Sequence, residues 1–320
     1  MSAGRGIDWR ALPVLVTGGY GFIGSHLVDA LVARGARVRV LDDLSTGRRE
    51  NLAHAGPQVE RLEGTILDRP TCERACRGVA LVFHQAALGS VPRSLAQPAR
   101  TIAVNVLGTA NLFEAARDAG VERVVYASSS SVYGDATALP RVEGEEGEAL
   151  SPYALSKQMG ESLAAVFGHA YGMELIGLRY FNVYGPRQRE DGPYAAVVPR
   201  FFDACARGAA PRIFGDGEQS RDFTFVGDAV RANLLAAAAP PAACGRAYNV
   251  GGGDRTTIAR LARLIRRLVG KGEEPVYEPP RPGDVRHSLA DLRAAGAMLD
   301  YRPQVALADG LAATWRAWGG

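Results

Sequence analysis

The chain has 320 residues and a mass of 33.9 kDa, with 47% hydrophobic residues, 22% charged residues and a net charge of +3. These values are typical of one large or two small globular domains and exclude a disordered tail, a collagen-like fibre and a disulfide scaffold. No segment is predicted to span a membrane, and residues 1–10 carry no apolar signal segment, so a cytoplasmic protein is expected. Basic residues are interspersed with acidic ones, and nucleic-acid binding is therefore not expected.

The cysteines and histidines show no spacing typical of a metal site. Cys72 and Cys76 lie four residues apart without a histidine or a further cysteine at zinc-site spacing, and no two histidines lie four residues apart. We therefore expect no bound metal. The four cysteines, including Cys205 and Cys244, are expected to be free thiols in a reducing compartment.

Strand-like and helix-like segments alternate through the first 180 residues. Short apolar runs predict strands, and the longer segments between them predict helices. This alternation predicts an α/β fold with a doubly wound parallel sheet of the Rossmann type. In chain order, strands are predicted at Val14–Thr17, Arg37–Leu41, Val59–Glu63, Ala80–His84, Arg123–Ser128 and Leu175–Tyr180, and helices at Gly21–Ala33, Thr71–Arg77, Ala99–Ala119 and Pro152–Tyr171.

Beyond residue 180 the alternation becomes less regular, and proline and glycine are frequent. We predict a Rossmann domain over residues 1–180 and a smaller mixed α/β substrate-binding portion over residues 181–320. Ligands of such folds bind beyond the carboxyl ends of the strands, so the site is expected between the two portions. Helices are predicted at Val197–Ala206, Gly227–Ala238, Ile258–Val269 and Leu307–Ala317, and the second of these is free to pack back on the first domain.

The turn after the first predicted strand is rich in glycine. Gly18, Gly21 and Gly24 follow the pattern G-x-x-G-x-x-G between a strand and a helix. Gly18 permits a tight turn, Gly21 lets the backbone approach a pyrophosphate, and Gly24 lets the helix pack closely on the strand. The free N–H groups and the positive dipole end of that helix favour phosphate binding. The glycine pattern is weak evidence by itself, and its position after a strand is what strengthens it.

An aspartate at the end of the second predicted strand extends this pattern. Asp42 lies 18 residues after Gly24, where a carboxylate can accept hydrogen bonds from both ribose hydroxyls of an adenosine. Because a carboxylate repels a 2′-phosphate, the pattern favours NAD over NADP. The alternative is an acid that only caps the loop at residues 44–46. The order of strand, glycine turn, helix, strand and acid favours the first interpretation, and the domain over residues 1–180 is therefore predicted to bind NAD.

A tyrosine and a lysine one helical turn apart indicate proton transfer. Ser151 suits the N-cap and Pro152 the first position of a helix, which places Tyr153 and Lys157 on one face. A nearby cation favours the phenolate and lowers the pKa of the tyrosine. Lys157 and Lys271 are the only lysines among the 37 basic residues, which weakens a generic surface role for Lys157. The serines at residues 128–131 end a predicted strand, and one of them is expected to bind the same substrate oxygen as Tyr153.

Together these residues resemble the extended short-chain dehydrogenase/reductases and, within them, the UDP-sugar 4-epimerases. The resemblance covers Val14 to about Trp315 and implies an isomerase that uses NAD. It implies inversion of carbon 4 in UDP-glucose and UDP-galactose, and in their N-acetylated counterparts UDP-GlcNAc and UDP-GalNAc, through a 4-keto intermediate. Galactose metabolism or polysaccharide biosynthesis is the implied context. Besides the glycine turn and Tyr153 with Lys157, the resemblance rests on Asp42–Gly47, Asn105–Thr109, Leu178–Pro186 and Gly215–Asp222.

The resemblance also implies roles for individual residues. The implied catalytic residues are Ser129, Tyr153 and Lys157. The implied cofactor-binding residues are Gly18, Gly21, Phe22, Ile23, Gly24, Asp42, Asp43, Ser45, Thr46, Gly47, Thr65, Ile66, Gln85, Ala86, Ala87, Gly89, Asn105, Tyr153, Lys157, Tyr180 and Phe181. The implied substrate-binding residues are Ser90, Val91, Arg93, Ser129, Ser130, Asn182, Val197, Arg221, Arg281, Asp284 and Ser288.

One position departs from the family pattern. The family usually has an acid after the glycine of the third strand, where it binds the adenine amine. Here Thr65 follows Gly64, and the next acid is Asp68. The hydroxyl of Thr65 is able to accept the hydrogen bond instead.

Related functions remain as alternatives. A UDP-glucuronate 4-epimerase would use the same machinery, and so would another nucleotide-sugar reductase. A dehydratase of this family places Asp-Glu after the catalytic hydroxyl residue, where this chain has Ser130 and Ser131. A non-catalytic NAD-sensing module would dispense with Tyr153 and Lys157, which this chain has.

Two further expectations concern substrate width and assembly. In the resembled family, the position of Ser288 lies beside the substituent at carbon 2, and a small residue there leaves room for an acetamido group. Ser130 is expected to bond that group.

The apolar surface of the helices Ala99–Ala119 and Pro152–Tyr171 exceeds what one sheet face covers, and related enzymes pair these helices across a twofold axis. We therefore expect a homodimer.

Overall fold

The computed structural model describes residues 6–10, 12–189, 195–280 and 285–319. The strands are β1 (Pro13–Thr17), β2 (Arg37–Asp42), β3 (Val59–Glu63), β4 (Leu81–His84), β5 (Arg123–Ser129), β6 (Glu174–Tyr180), β7 (Val183–Tyr184), β8 (Arg212–Phe214), β9 (Ser220–Asp222), β10 (Thr224–Phe225), β11 (Arg246–Val250), β12 (Arg255–Thr257) and β13 (Val276–Glu278). The helices are α1 (Phe22–Val32), α2 (Arg69–Cys76), α3 (Val91–Ala96), α4 (Pro98–Ile102), α5 (Gly108–Asp118), α6 (Pro152–Tyr171), α7 (Val197–Ala206), α8 (Val226–Ala238), α9 (Ile258–Val269), α10 (Arg293–Leu299) and α11 (Leu307–Ala317).

A seven-stranded parallel sheet forms the centre of the protein, in the order β11-β6-β5-β4-β1-β2-β3. Its central strands are buried along their length, because helices cover both faces of the sheet. This arrangement confirms the predicted α/β fold with a parallel sheet of the Rossmann type. Over the described ranges, no helix combines the length and apolar character that crossing a bilayer requires.

The helices on the two faces of the sheet enclose separate hydrophobic cores. On one face, α1 and α8 contribute Leu27 and Ala232 to a core with Val16 of β1. On the other face, α5 and α6 contribute Phe113 and Ala164 to a core with β4 and β5. A third core lies among α7, α9 and α11 in the second half of the chain.

The second half of the chain returns to the central sheet. Strand β11 pairs with β6, and α8 packs against α1. The sequence left such packing of this helix on the first domain open. Short two-stranded pairs, β7 with β10, β9 with β12 and β8 with β13, hold the remaining segments together. These strands of two or three residues carry too little pattern to be predicted from the sequence. The division into residues 1–180 and 181–320 remains a prediction.

The predicted helix Ala99–Ala119 is interrupted. The structure has α4, then a π turn at Ala103–Leu107, and then α5. Such turns add a residue to the helical repeat and occur frequently at functional sites. Asn105 lies within the turn, and its side chain bonds the backbone of Leu88 in the loop after β4. A repeat of 3.6 residues, which the sequence prediction assumed, does not reveal such a turn.

Candidate active site

A cavity of about 700 Å³ lies at the carboxyl ends of the parallel strands. It extends from Asp42 and Thr65 at one end to Asn182 and Arg221 at the other, past Tyr153. We call the first end the cofactor end and the second the sugar end. Among the residues that the structure describes, no group of three His, Cys, Asp or Glu side chains is placed to hold a metal ion.

The glycine turn after β1 is too tightly packed for side chains. A Cβ atom on Gly24 would lie 2.1 Å from the carbonyl oxygen of Gly18, and one on Gly18 would lie 2.7 Å from the amide nitrogen of Ala86. Gly18 also has a φ of +70°, a conformation that L side chains rarely adopt. Helix α1 begins at Phe22 without a side-chain cap, so its first N–H groups have no partner from a capping residue. This arrangement suits a pyrophosphate.

Asp42 lies beside this turn and is 7% exposed. Its Oδ2 accepts a hydrogen bond from the Tyr20 amide at 2.9 Å, and its Oδ1 accepts one from the Leu44 amide at 2.8 Å. Burial raises the pKa of the carboxyl group, and these two bonds oppose the rise. A carboxylate has about four acceptor positions, so Asp42 retains capacity for ribose hydroxyls. The glycine turn and Asp42 therefore fit NAD.

The part of the cavity where adenine is expected contains Thr65 rather than an acid. Thr65 and Ile66 line the cavity, and the Oγ1 of Thr65 accepts a bond from the Leu67 amide at 3.3 Å. Asp68 is used elsewhere, because it caps α2 by accepting bonds from the amide and the hydroxyl of Thr71. The late acid noted in the sequence therefore serves the helix and not the cavity.

The residues predicted to transfer a proton lie together in the middle of the cavity. Ser151 caps α6 by accepting a bond from the Ala154 amide, as predicted, and this start of the helix places Tyr153 and Lys157 on its cavity side. The Lys157 Nζ donates to the carbonyl oxygen of Ala127 at 2.7 Å and lies 5.9 Å from the centre of the Tyr153 ring. Burial raises the pKa of Tyr153, and a hydrogen bond from Ser129 opposes that rise.

The electrostatics differ in one respect from the expectation that Lys157 lowers the pKa of Tyr153. The net direction for Tyr153 is upward, because burial outweighs the bond from Ser129. Burial also lowers the pKa of Lys157 to about 8, while the charge of Glu161 opposes that change. The pKa of Lys157 is thus brought closer to neutral pH than that of a free lysine, whereas the pKa of Tyr153 moves away from it.

Most of the predicted site residues line the cavity. Three of the predicted substrate residues do not: Ser90 caps α3, Arg93 lies in that helix, and Val197 packs at the start of α7 against the third core. Arg281 and Asp284 lie outside the described residues. The predicted residues on the cavity wall are Gly18, Gly21, Phe22, Ile23, Gly24, Asp42, Asp43, Ser45, Thr46, Thr65, Ile66, Gln85, Ala86, Ala87, Gly89, Val91, Ser129, Ser130, Tyr153, Lys157, Tyr180, Phe181, Asn182, Arg221 and Ser288.

Gly47 and Asn105, two predicted cofactor residues, lie behind the wall. A Cβ atom on Gly47 would meet Tyr20 at 2.8 Å. The amide group of Asn105 is occupied by the backbone of Leu88 and by the Ser156 hydroxyl at 3.0 Å. Both residues therefore shape loops that line the cavity.

Sequence reasoning missed a buried histidine next to Asn105. Thr109 donates its hydroxyl to the Asn105 carbonyl, so the Nε2 of His84 must be the donor in its 2.9 Å bond to Thr109. The Nδ1 of His84 then accepts from the Thr17 hydroxyl at 2.7 Å, and Thr17 accepts from the Ala86 amide. Burial lowers the pKa of His84 to about 3, so the ring is neutral. This chain of bonds fixes the loop after β4.

A second missed group lies behind the serine turn. Arg179 of β6 donates to both carboxylate oxygens of Glu161, at 2.9 and 2.7 Å, and pairs with Glu146. Ser128 also donates to Glu161, at 2.5 Å. Glu161 follows Lys157 by four residues on α6, and this spacing was the available sequence signal. The group joins β5, β6 and α6 beneath the proton-transfer residues.

The fold and the cavity define a nucleotide-cofactor enzyme of the Rossmann class. The profile of the NAD dependent epimerase/dehydratase family matches residues 14–251, and this chain belongs to that family. Tyr153 with Lys157 and the glycine turn thus lie within the matched region. The sequence-based recognition of an extended short-chain dehydrogenase/reductase is confirmed, and so is the dependence of its family on NAD.

Several proteins of known name are similar to this chain. The UDP-glucose 4-epimerase of Mycolicibacterium smegmatis is 44% identical over 304 residues, which cover 94% of this chain and 96% of that protein. A UDP-N-acetyl-α-D-glucosaminuronate decarboxylase of Bacillus cytotoxicus is 33% identical over 312 residues, with 94% and 95% covered. The activities named for similar proteins therefore include both epimerisation and decarboxylation.

Solved structures are also similar to this chain over nearly their whole length. The UDP-glucose 4-epimerase of Thermotoga maritima with UDP-glucose has a TM-score of 0.91 and 39% identity, covering 96% of this chain and 99% of that one. The UDP-N-acetylglucosamine 4-epimerase of Methanobrevibacter ruminantium, solved with UDP-N-acetylmuramic acid, also has a TM-score of 0.91, with 37% identity and 99% of both chains covered.

Proposed function

We propose that this protein is an NAD-dependent UDP-hexose 4-epimerase. The observation that carries the proposal is the placement of Ser129, Tyr153 and Lys157 in the middle of one cavity, between the glycine turn and Asn182 with Arg221. Similarity to UDP-glucose 4-epimerases over nearly the whole chain supports it. NAD, when bound, supplies a hydride acceptor and donor for carbon 4 of the sugar.

The residues of the chain have separate tasks in this proposal. The glycine turn and Asp42 hold the dinucleotide, and Lys157 binds the nicotinamide ribose. Tyr153 removes the proton of the sugar 4-hydroxyl and later returns it to the 4-keto sugar, while Ser129 bonds the same oxygen. Arg221 and Asn182 hold the diphosphate. Because that anchor is remote from carbon 4, the sugar can present either face without losing the binding energy of the nucleotide.

The sugar end supports substrates with and without an acetamido group. Ser288 lines the cavity beside Asn182, whose Nδ2 lies 3.4 Å from the Ser288 hydroxyl. A serine there leaves free the volume that a tyrosine ring would fill, and Ser130 lies on the same cavity wall. We therefore propose turnover of UDP-glucose and UDP-galactose as well as UDP-GlcNAc and UDP-GalNAc.

The test is product analysis with purified enzyme and each of these UDP-sugars offered separately, together with UDP-glucuronate. Chromatography that separates the 4-epimers should show interconversion of the glucose and galactose pair and of the N-acetylated pair. A protein that epimerises none of these sugars would refute the proposal. Interconversion of only one neutral pair would leave the proposed epimerase activity in place and narrow its proposed range of substrates to that pair.

We also propose a homodimer that pairs helix α6 with its counterpart in a second copy. Leu155, Met159 and Val166 lie on α6 and are exposed, as is Leu107 just before α5. Apolar surface of this kind is typical of an interface. Light scattering at micromolar concentration should give twice the chain mass, and Val166→Glu should lower it towards the monomer. A monomeric wild-type protein would contradict the proposal.

A further inference from the structure

Three arginines in the described part of the chain are buried, and they differ in their surroundings. Arg123, Arg141 and Arg179 are 1%, 5% and 6% exposed. Burying a cation is costly unless it is paired and hydrogen-bonded. Each buried arginine is therefore expected to have acceptors, within the protein or in a ligand.

Two of the three have their acceptors within the protein. Arg123 donates to three carbonyl oxygens at the C-terminal end of α8 and pairs with Glu174 at 2.6 Å. Arg179 bonds Glu161, Glu146 and the Tyr133 hydroxyl. Neither residue lines the cavity. Their charges are balanced where they lie.

Arg141 has no such balance. It lines the cavity at the sugar end, and its Nη1 is buried without a hydrogen-bond partner. Among the residues that the structure describes, no carboxylate pairs with its guanidinium. Burial lowers the pKa of Arg141, and the nearby Tyr133 side chain opposes this. An arginine remains protonated in such surroundings, so the described residues of the sugar end leave its positive charge uncompensated.

The backbone holds Arg141 firmly in this place. Its amide donates to the Leu289 carbonyl at 2.7 Å, and its carbonyl accepts from the Asp291 amide at 2.9 Å and from the Asn249 side chain at 2.9 Å. Ser288, which lines the cavity, directly precedes Leu289 in this segment. The guanidinium is thus presented by a fixed backbone on the sugar-facing wall.

From this contrast we infer that Arg141 is a specificity-determining residue that binds the carboxylate of a UDP-uronate in the sugar end of the cavity. The inference rests on the proposed function, which places a UDP-sugar there. Ser129 and Tyr153 hold carbon 4, and Arg141 lies close to Tyr133 of the turn that follows Ser129. In this inference, the group that meets Arg141 is the substituent of carbon 5, which is next to carbon 4. In a uronate, the carboxylate is attached to carbon 5.

The chemistry of the guanidinium supports a carboxylate over a neutral group. Its planar arrangement of donors matches two carboxylate oxygens, and such charge-assisted bonds are about twice as strong as neutral ones. A hydroxyl or an acetamido group would leave the buried charge uncompensated.

The test compares the binding of UDP-glucuronate, UDP-glucose and UDP to the NAD-containing enzyme by calorimetry. UDP-glucuronate should bind more tightly than UDP-glucose. Arg141→Gln should lower the affinity for UDP-glucuronate by roughly 10- to 100-fold, as expected for loss of a hydrogen bond to a charged group. The affinities for UDP-glucose and UDP should remain nearly unchanged. The control is Arg293→Gln, which removes an exposed arginine paired with Asp291 and should change none of the three affinities.

Two further measurements separate this role from a structural one. Replacing a buried charge that has no protein partner should not lower stability, so Arg141→Gln should melt at or above the wild-type temperature without ligand. Its NAD content should equal that of the wild type. A lower melting temperature, a loss of NAD or an equal loss of affinity for UDP-glucose would each overturn the inference.

The outcomes also separate the inference from the proposed function. If the wild type interconverts UDP-glucose and UDP-galactose but binds UDP-glucuronate no more tightly than UDP-glucose, the inference fails and the epimerase stands. If UDP-glucuronate binds through Arg141 and its product has lost carbon dioxide, the inference stands and the proposed reaction needs correction.

Discussion

The cofactor end of the cavity comes from four successive turns after β1 to β4, whereas the sugar end comes from segments that are far apart in the sequence. The first end contains Gly24 at the start of α1, Asp42 at the end of β2 and Thr65 just after β3. The second end contains Asn182 and Ser288, which are 106 residues apart and lie side by side. A regular sheet therefore dictates the first end, and loop packing builds the second. The two ends should respond separately to substitution.

The largest effect is expected at Tyr153, which serves both ends by lying between them. Tyr153→Phe removes the hydroxyl that transfers the proton, so turnover of UDP-galactose should fall by ~10²–10⁴-fold. Bound NAD and the affinity for UDP should remain. Coupled conversion to UDP-glucose measures turnover, and cofactor release on denaturation measures NAD. Tyr171→Phe, at the exposed far end of the same helix, is the control; full activity of Tyr153→Phe would remove Tyr153 from the role.

Lys157 should affect the cofactor end more than the sugar end. Lys157→Ala removes a buried ammonium group. Because hydrogen bonds from a charged group are lost, activity should fall by about 10- to 100-fold and part of the bound NAD should be lost. Activity and NAD content after purification are the measurements. Lys271→Ala removes the other lysine of the chain, which is exposed, and should change neither. An unchanged NAD content in Lys157→Ala would contradict its contact with the cofactor.

Ser288 should affect the sugar end alone. Ser288→Tyr fills the volume beside Asn182, so the N-acetylated pair should lose most of its activity, with a change of about tenfold or more in its kcat/KM relative to UDP-galactose. UDP-galactose turnover and bound NAD should be spared. The matched control is Ser288→Ala, which keeps the space open and should accept both pairs. Equal losses for both pairs would show that Ser288 does not limit the size of the sugar.

The same contrast explains what the sequence could and could not predict. The glycine turn and Asp42 were predictable, because the alternation of strands and helices fixes where each turn lies on the sheet. The cofactor contact of Asn105 remains a prediction, whereas the bond of its side chain to Leu88 was not predictable, because Asn105 lies in a π turn that a regular helical repeat does not reveal. Arg141 carried no local signal, since its place depends on residues 289–291 of a distant segment.

The smallest effect is expected in the pH dependence of stability, where His84 tests the rigidity of the cofactor end. The pKa of His84 is lowered from 6.5 to about 3 in the folded protein. Between these values the unfolded chain binds a proton that the folded protein does not, so stability falls as the pH decreases below 6.5. From pH 7 to pH 5 this contributes a loss of about 2 kcal/mol.

His84→Asn should remove that loss while weakening the bonds to Thr17 and Thr109. The variant should be less stable than the wild type at pH 7, and the difference should shrink by about 2 kcal/mol at pH 5. Urea unfolding at the two pH values measures it, and His169→Asn, an exposed histidine of α6, should keep the wild-type dependence. A difference that stays constant between pH 7 and pH 5 would mean that His84 takes up a proton in the folded protein. A protonated imidazole ring cannot accept a hydrogen bond from the Thr17 hydroxyl. The hydrogen bonds that run from Thr17 through His84 and Thr109 to Asn105 would then not hold the loop after β4.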